Sequence, residues 1–344
     1  MTPFDLKQGS LGRRRVLGSG LALGALAGAG LAPGRARAAE AVTYITPFGF
    51  LSTFAPVLNA AAGGHFERQG LDVQIIGGNG SASALQQVLA GRALLTRVGS
   101  VDVIRAVATQ KVPVVAVGTI IQGSVYSLIS PEAKPVKGPA DLPGKTVGII
   151  SVGGVTENLL NLMLIRAGID PALVKRQAVG NNPGAYGLLQ AGRIDAMISS
   201  TDVLVGLLTA KAPIHHLNTD ALVPMPGEVY VATRESVAKR ADAIVAFLRG
   251  VKASVEEMAP ERLDGVVARL AAKYDMPGED KPEVIRGVLE RQRTDWYKDG
   301  PQNLLRNNPQ RWTDAVRLMR EAGLGDAGAP ETLYTNELVA RIHA

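Results

Sequence analysis

Residues 71–90 read LDVQIIGGNGSASALQQVLA. Apolar and branched residues over 71–76 indicate a strand, the glycines within 77–80 indicate a turn, and the apolar spacing over 82–90 predicts a helix. A strand that enters a helix through a short glycine-rich turn is the first part of a βαβ unit. This stretch therefore predicts an α/β fold with a largely parallel sheet.

The same alternation of strand and helix extends over residues 42–217 and forms two runs. The predicted strands are 42–46, 71–76, 114–120, 146–150, 176–179, 196–199 and 214–217, with extended segments at 125–130 and 229–232. The predicted helices between them are 54–62, 82–90, 101–109, 157–167, 184–191 and 203–210. Four prolines within 131–143 separate the runs, and we interpret this tract as the connection between two lobes.

Beyond residue 232 the pattern is helical. An apolar residue recurs at steps of four, three, four and three along Ile244, Leu248, Val251, Val255 and Met258. This spacing predicts a helix whose apolar face is directed at the core, and a face for a partner or a membrane surface is the alternative. Further helices are predicted at 261–273, 281–291, 309–322 and 335–342.

The excess of positive charge is concentrated in the first 38 residues. The whole sequence has 37 Lys and Arg against 31 Asp and Glu, a formal net charge of +6, but residues 39–344 carry 31 basic and 30 acidic residues. The charge therefore indicates no nucleic-acid partner. The sequence contains no cysteine, which excludes disulfides, thiolate metal sites and cysteine nucleophiles.

Residues 1–38 have the pattern of an export signal. The arginines of 13–15 form a twin-arginine segment, a glycine-rich apolar stretch follows over 16–32, and small residues precede a cleavage position after Ala38. We therefore expect export to the periplasm through the twin-arginine route and removal of this leader. An uncleaved anchor is the alternative, although a spanning helix needs about 20 apolar residues and this stretch is shorter.

Three strand-to-helix turns, at 77–83, 151–156 and 199–202, are rich in small and hydroxyl residues. Free N–H groups and the positive end of the dipole at a helix start suit an anionic or strongly polar ligand. Each turn alone could be an ordinary helix cap. Because ligands of open α/β sheets bind beyond the carboxyl ends of the strands, the three turns together predict a ligand site.

The loop 47–52 ends the first predicted strand at the same rim, and its two phenylalanines either clasp an apolar ligand or anchor the loop in the core. The candidate ligand-binding residues are Phe48, Phe50, Ser52, Asn79, Ser81, Ser83, Ser100, Ser151, Gly153, Gly154, Thr156, Asn181, Thr201 and Asp202.

The sequence does not indicate a catalytic site. The sequence has no G-x-S-x-G elbow and no H-E-x-x-H helix, and Gly144-Lys145-Thr146 lacks the glycine five residues earlier that a P-loop requires. His215 and His216 are adjacent on a predicted strand, so their side chains point to opposite faces. We therefore expect no catalytic residue, no metal and no cofactor.

Several short phrases carry a family resemblance. They are the predicted first strand and loop at 42–50, GHFERQGLDV at 64–73, LAGR at 89–92, DLPGKTVG at 141–148, AGIDP at 167–171 and LQAGRIDA at 189–196. In this order they resemble the substrate-binding proteins of ABC transporters in the nitrate, sulfonate, taurine and thiamine-precursor group. The sequence departs from that pattern at RALLTR over 92–97, where the family commonly has an acidic residue and then small residues, so the role of Arg97 is left open.

The resemblance implies a bilobal type II periplasmic-binding-protein fold, with a ligand cleft between two βαβ lobes and a helical C-terminal region. Lobe 1 would comprise 39–130 and the return segment 227–344, lobe 2 would comprise 131–226, and the crossings would lie at 125–130 and 229–232.

The resemblance also implies a function. The protein would be the monomeric solute-binding component of an ABC importer, and would deliver a small organic anion, such as a sulfonate or a carboxylate, to an inner-membrane permease with a separate ATPase. The alternatives are a pyrimidine-precursor enzyme of the same fold, which uses a histidine and pyridoxal phosphate, and a periplasmic ligand-sensor subunit.

The leader gives a direct prediction. When the full chain is produced in a host with twin-arginine export, mass spectrometry of the periplasmic protein should find an N-terminus at or near Ala39. Replacing the three arginines of 13–15 by lysine should retain the protein in the cytoplasm, whereas Lys7→Gln should not. Recovery of full-length chain from the membrane fraction would support the uncleaved anchor instead.

Overall fold

The computed structural model describes residues 39–182, 184–276 and 281–343. The predicted leader, residues 1–38, lies outside the described residues. Within the described part of the chain, every helix is too short or too polar to cross a membrane.

Ten strands and twelve α-helices make up the described chain. The strands are β1 (Glu40–Thr46), β2 (Leu71–Gly77), β3 (Leu95–Gly99), β4 (Val114–Thr119), β5 (Tyr126–Pro131), β6 (Thr146–Ile149), β7 (Lys175–Ala178), β8 (Ala196–Ser200), β9 (Ile214–Asn218) and β10 (Glu228–Thr233). The helices are α1 (Ala55–Ala62), α2 (Ser81–Leu89), α3 (Ser100–Gln110), α4 (Val155–Arg166), α5 (Gly184–Gln190), α6 (Thr201–Thr209), α7 (Arg234–Lys239), α8 (Ala241–Glu257), α9 (Leu263–Lys273), α10 (Pro282–Trp296), α11 (Pro309–Glu321) and α12 (Glu337–Ala340).

The strands form two five-stranded sheets of the same design. The first has the order β2-β1-β3-β10-β4 and the second the order β7-β6-β8-β5-β9. In each sheet the first three strands of that order are parallel, and the fourth runs antiparallel between its neighbours. Helices α1 to α3 belong to the first lobe and α4 to α6 to the second. The predicted bilobal α/β fold is confirmed.

The crossings between the lobes differ from the prediction. The chain leaves the first sheet after β4 and enters the second at β5, so the outward crossing is 120–125 and not 125–130. The return crossing is 219–227, because the segment predicted at 229–232 is already inside β10. The proline tract 131–143 joins β5 to β6 within the second lobe and does not connect the lobes. The extended pattern at these positions reflects pairing within a sheet.

Strand β3 was not predicted, although it lies at the centre of the first sheet. All five of its residues are buried, including Thr96 and Arg97. Two adjacent polar residues interrupt the apolar run that normally indicates a buried strand. The pattern therefore conceals β3, and the reason for its polar residues is found only in the site described below.

Helix α8 packs on the first lobe, against α1, and its spacing predicted one face directed at the core. Ile244, Leu248, Val251, Val255 and Met258 are all buried, which confirms the core-facing interpretation. A stack of aromatic rings joins this helix to the first sheet, with the Phe247 ring 5.4 Å from that of Tyr44 and 4.9 Å from that of Phe66.

Helix α10 forms a further link between the lobes. Val284 and Val288 of α10 pack against Val205 of α6 in one buried cluster. The N–H of Gln122, in the outward crossing, points to the carbonyl of Asp295 near the end of the same helix. Helix α10 therefore reaches from the crossing to α6 of the second lobe.

The two crossings lie directly against each other. The Gly227 N–H donates to the Ile121 carbonyl at 3.0 Å. A Cβ atom at Gly227 would lie 1.7 Å from the Gly123 carbonyl oxygen and 2.7 Å from that of Ile121. Only glycine fits here, because the obstructing atoms are backbone and cannot rotate away.

The contact predicts a large effect of one methyl group. Gly227→Ala should lower the free energy of unfolding by about 3 kcal/mol or more, as measured by urea unfolding. Gly265→Ala in α9 is the control, since a Cβ there meets no atom within 4 Å, and it should raise stability by about 0.5 to 1 kcal/mol. Equal stability of the two variants would contradict this account of the crossings.

Candidate functional site

The two lobes meet where the carboxyl ends of their strands lead into helices. The Val155 N–H at the start of α4 donates to the Ser81 hydroxyl at the start of α2, at 3.1 Å. The Thr53 N–H of the first lobe donates to Asp202 Oδ1 of the second at 2.7 Å. Helix starts from both lobes are therefore in direct contact, and they belong to the turns at which the sequence predicted a ligand site.

A third contact lies between α3 and α4. The Asn158 side-chain amide donates to Asp102 Oδ1 at 2.6 Å, and its oxygen accepts from Arg105. Burial raises the pKa of Asp102 to about 7, and its hydrogen bonds with Ser81 and Asn158 only partly oppose this shift. A carboxyl group that titrates near neutral pH thus lies within the contact between the lobes.

A buried ion pair underlies these contacts. Arg97 Nε lies 3.3 Å from Glu228 Oε2, and the two residues are 1% and 2% exposed. The Arg97 guanidinium also donates to the carbonyl and hydroxyl oxygens of Thr53, at 2.6 and 3.1 Å, and covers the Phe54 ring at 4.6 Å. Burial lowers the pKa of Arg97, but the neighbouring Glu228 carboxylate and three buried tyrosines together raise it above its ordinary value, so the guanidinium stays charged.

The pair extends into the second lobe. The Tyr126 hydroxyl, at the start of β5, donates to Glu228 Oε1 at 3.1 Å. The Gln292 amide of α10 donates to the Thr53 hydroxyl. One network therefore joins the first sheet, the second sheet and the helical C-terminal region.

Four of the predicted residues converge at the junction of α2 and α4. A Cβ at Gly154 would lie 3.1 Å from Ser81 Oγ, and a Cβ at Gly80 would lie 3.3 Å from Ser151 Oγ. The buried Ser151 Oγ has no hydrogen-bond partner among the described residues. Thr156 lies in the same turn, where its hydroxyl accepts from the Ile150 N–H at 2.9 Å. The hydrogen bond of Thr156 thus closes the turn between Ile150 and the start of α4.

The remaining second-lobe candidates and Ser100 make hydrogen bonds to neighbouring turns or to the crossings. Gly153 has a left-handed backbone with φ of +72°, and its N–H donates to Glu157 at 2.6 Å. Asn181 donates to the Ser200 hydroxyl at 2.9 Å, and the Thr201 hydroxyl donates to the Val125 carbonyl at 3.0 Å. The Ser100 hydroxyl donates to the Pro226 carbonyl in the return crossing. These bonds hold the turns around the contact between the lobes.

The loop 47–52 of the first lobe is mostly packed against the protein. The Phe50 ring packs 5.4 Å from Tyr274, which favours the anchoring interpretation for this residue. Ser52 is buried with its hydroxyl 4.0 Å from Met276 Sδ. Phe48 is half-buried and its backbone pairs with that of Asn79. Asn79 and Ser83 are exposed and are not brought into the contact.

Several residues of the site were not predicted. They are Thr53, Asp102, Tyr126, Asn158, Glu228 and Gln292. The sequence held one signal, a charged residue within the apolar run 93–98, but Arg97 has its partner 131 positions away. That separation hides the pair from any pattern of local spacing.

The histidines lie away from this network. His65 pairs with Glu257 at 2.7 Å, His215 and His216 lie on β9, and His343 contacts the Leu304 carbonyl at 2.9 Å. Across the described ranges 39–182, 184–276 and 281–343, no group of three or more His, Asp or Glu is placed to hold a metal ion.

Two lobes of matching topology, joined by two crossings and meeting at their helix starts, define a two-lobed fold of the periplasmic-binding type. The family model described as NMT1/THI5 like matches residues 52–262. The chain belongs to this NMT1/THI5-like family.

Known proteins show the same relationship. The chain is 30% identical over 141 residues to the formylaminopyrimidine-binding protein of Halalkalibacterium halodurans, a match that covers 41% of this chain and only 42% of that protein. The fold of the present chain is similar to that of the aliphatic sulphonate binding protein SsuA from Escherichia coli. The TM-score is 0.63 and the identity 19%, and the match covers 83% of this chain and 91% of SsuA. The nitrate-binding protein NrtA from Synechocystis PCC 6803 gives a TM-score of 0.62, 12% identity and 88% coverage of each chain.

The buried Asp102 predicts a pH-dependent stability. Its pKa is about 7 in the folded protein and about 3.9 when unfolded, so the folded chain binds the extra proton between these values. The free energy of unfolding should therefore fall as the pH rises from about 4 to about 7.

Urea unfolding of Asp102→Asn checks this expectation. The variant should gain stability relative to the parent between pH 4 and pH 8, by up to about 4 kcal/mol. Asp72→Asn, an exposed acid on β2, is the matched control. If the free energies of unfolding of the parent and Asp102→Asn differed by the same amount at pH 4 and at pH 8, Asp102 would not titrate within this range.

Proposed function

We propose that the protein is the solute-binding component of an ABC importer, exported to the periplasm by its twin-arginine leader. It captures a small organic anion between the lobes and delivers it to a membrane permease with a separate ATPase. The observation that carries this proposal is the meeting of helix starts from both lobes at Ser81 and Val155. A ligand placed there touches both halves of the molecule.

The chemistry at this junction supports an anionic ligand. The Val155 N–H and the Ser151 hydroxyl are donors at the start of a helix, where the dipole favours negative charge. The Ser81 hydroxyl faces them from the other lobe. Ser81, Ser151, Gly154 and Val155 are therefore the residues that we propose for the charged group of the ligand.

Capture requires the lobes to move. The lobes touch directly, and the cavity that they enclose beside Gly99, Tyr126 and Val155 is only about 20 Å³. A solute must therefore replace direct contacts between the lobes, which separate and close again about the crossings at 120–125 and 219–227. Binding stabilises the closed arrangement by its higher affinity for it.

A second ligand class is favoured by the carboxylates of the site. Asp102 and Asp202 both accept N–H groups across the contact, and amino groups of a pyrimidine would suit the same oxygens. The name of the formylaminopyrimidine-binding relative supports this candidate. In both cases we propose binding without catalysis.

Thermal-shift screening against organic sulfonates, carboxylates and aminopyrimidines tests the proposal. A ligand at 100 times its Kd should stabilise the protein by about 2.7 kcal/mol, and small-angle scattering should show a smaller radius of gyration with that ligand. Ser81→Ala should weaken the binding of an anion about tenfold or more, because a hydrogen bond to a charged group is lost. Ser83→Ala, an exposed neighbour in the same helix, should leave binding unchanged.

Two results distinguish the outcomes. Asp202→Asn removes a negative charge, so it should maintain or raise affinity for an anion and lower affinity for an aminopyrimidine. Binding with an unchanged scattering profile, or with equal affinity in Ser81→Ala and the parent, would contradict an anion held between the lobes at this junction.

A further inference from the structure

A groove beside the junction of Ser81 and Val155 has the properties of a second binding site. This α5–α6 groove has a volume of about 570 Å³ and is lined by Leu51, Tyr186, Val203, Leu207 and Val284 among others. Sites for small organic ligands usually measure roughly 300 to 1,000 Å³ and are mostly apolar. The groove is therefore large enough for such a ligand while the lobes are in contact.

The groove is formed by parts of both lobes. Leu51 belongs to the first-lobe loop that precedes α1, whereas Tyr186, Val203 and Leu207 belong to α5 and α6 of the second lobe. Val284 comes from α10, the helix that packs on α6. A molecule in the groove contacts both lobes without entering the junction of Ser81 and Val155.

The charges along the groove favour one kind of ligand. Among the described lining residues the charged groups are Asp202, Lys211 and Lys281. Asp202 is 3% exposed and contacts Thr53 at the lobe interface, whereas both lysines are exposed to solvent. An apolar body fits the walls, and an acidic group is attracted to the solvent end and repelled from the inner end.

We propose that the α5–α6 groove binds an amphiphilic organic acid, with its apolar body between α5, α6 and α10 and its acidic group beside Lys211 and Lys281. Because this ligand contacts Leu51 and α6 together, it stabilises the arrangement in which the lobes touch. The site thus acts on the same closure as the transported solute, from a different position.

A glycine in the wall provides a selective test. Gly206 of α6 lines the groove, and a Cβ there meets no atom within 4 Å. A leucine at this position places its Cβ without a clash and adds bulk to the wall of the groove, and leucine is a better helix former than glycine. Gly187 of α5 is equally unobstructed, is exposed and does not line the groove, so Gly187→Leu is the matched control.

Calorimetry with 2-naphthoate as the probe measures the binding. Gly206→Leu should weaken it by about tenfold or more, Gly187→Leu should not change it, and Ala210→Leu serves as a second blocking variant. Changing Lys211 and Lys281 together to Gln should weaken the binding of naphthoate about two- to fivefold. The binding of the neutral 2-naphthalenemethanol should not change. Scattering should show a smaller radius of gyration with naphthoate.

The outcomes separate this site from the junction between the lobes. Naphthoate binding that survives in Ser81→Ala but is lost in both blocking variants supports a separate groove site. No binding of naphthoate at millimolar concentration, or equal binding in the parent and Gly206→Leu, overturns it. Loss of naphthoate binding in Ser81→Ala alone places the probe at the junction and also overturns the groove site, while leaving the proposed solute-binding function intact.

Discussion

The buried ion pair of Arg97 and Glu228 organises the contacts between the lobes. The two residues lie on β3 and β10, which pair directly at the centre of the first sheet. Removing one partner of such a pair leaves a charge buried without compensation, which typically costs about 3 to 5 kcal/mol. Thr53 and Tyr126 complete the hydrogen bonding of the pair. The network therefore fixes the first-lobe turn and the start of β5 relative to the first sheet.

This network also marks where the lobes can move. Glu228 is the first residue of β10 and Tyr126 the first residue of β5, so their hydrogen bond joins the ends of the two crossings. Each crossing leads into an antiparallel strand inside a sheet, which makes the strands parts of rigid lobes. The hydrogen bond between Ser81 and Val155 joins the starts of two helices, α2 of the first lobe and α4 of the second. It involves neither a sheet nor a crossing. Opening can thus break the outer contacts while the network at the crossings is kept.

The carboxylates of the protein itself occupy positions that suit a ligand anion. Asp102 and Asp202 lie in the first turns of α3 and α6, where the helix dipole stabilises negative charge. Each accepts a hydrogen bond from the opposite lobe, so the lobes are held together by internal acceptors. A solute competes with these bonds, and its affinity reflects the difference between its own contacts and those that it replaces. Selectivity then depends on whether the solute brings acceptors or donors.

Sequence patterns predicted the α/β architecture, most of the strands and helices, and the core-facing side of α8. These features follow from hydrophobic periodicity, which is local and can be read over a few turns or a few residues of strand. The rim turns were also predictable, because glycine and hydroxyl residues between a strand and a helix have a local conformational role. Only the folded chain shows that β3 is a central strand, that the crossings are 120–125 and 219–227, and that Arg97 pairs with Glu228. Those features depend on contacts between segments 131 to 149 positions apart, as for Arg97 with Glu228 and Thr53 with Asp202. Such contacts are set by sheet order and lobe packing, for which a single sequence has no local signal.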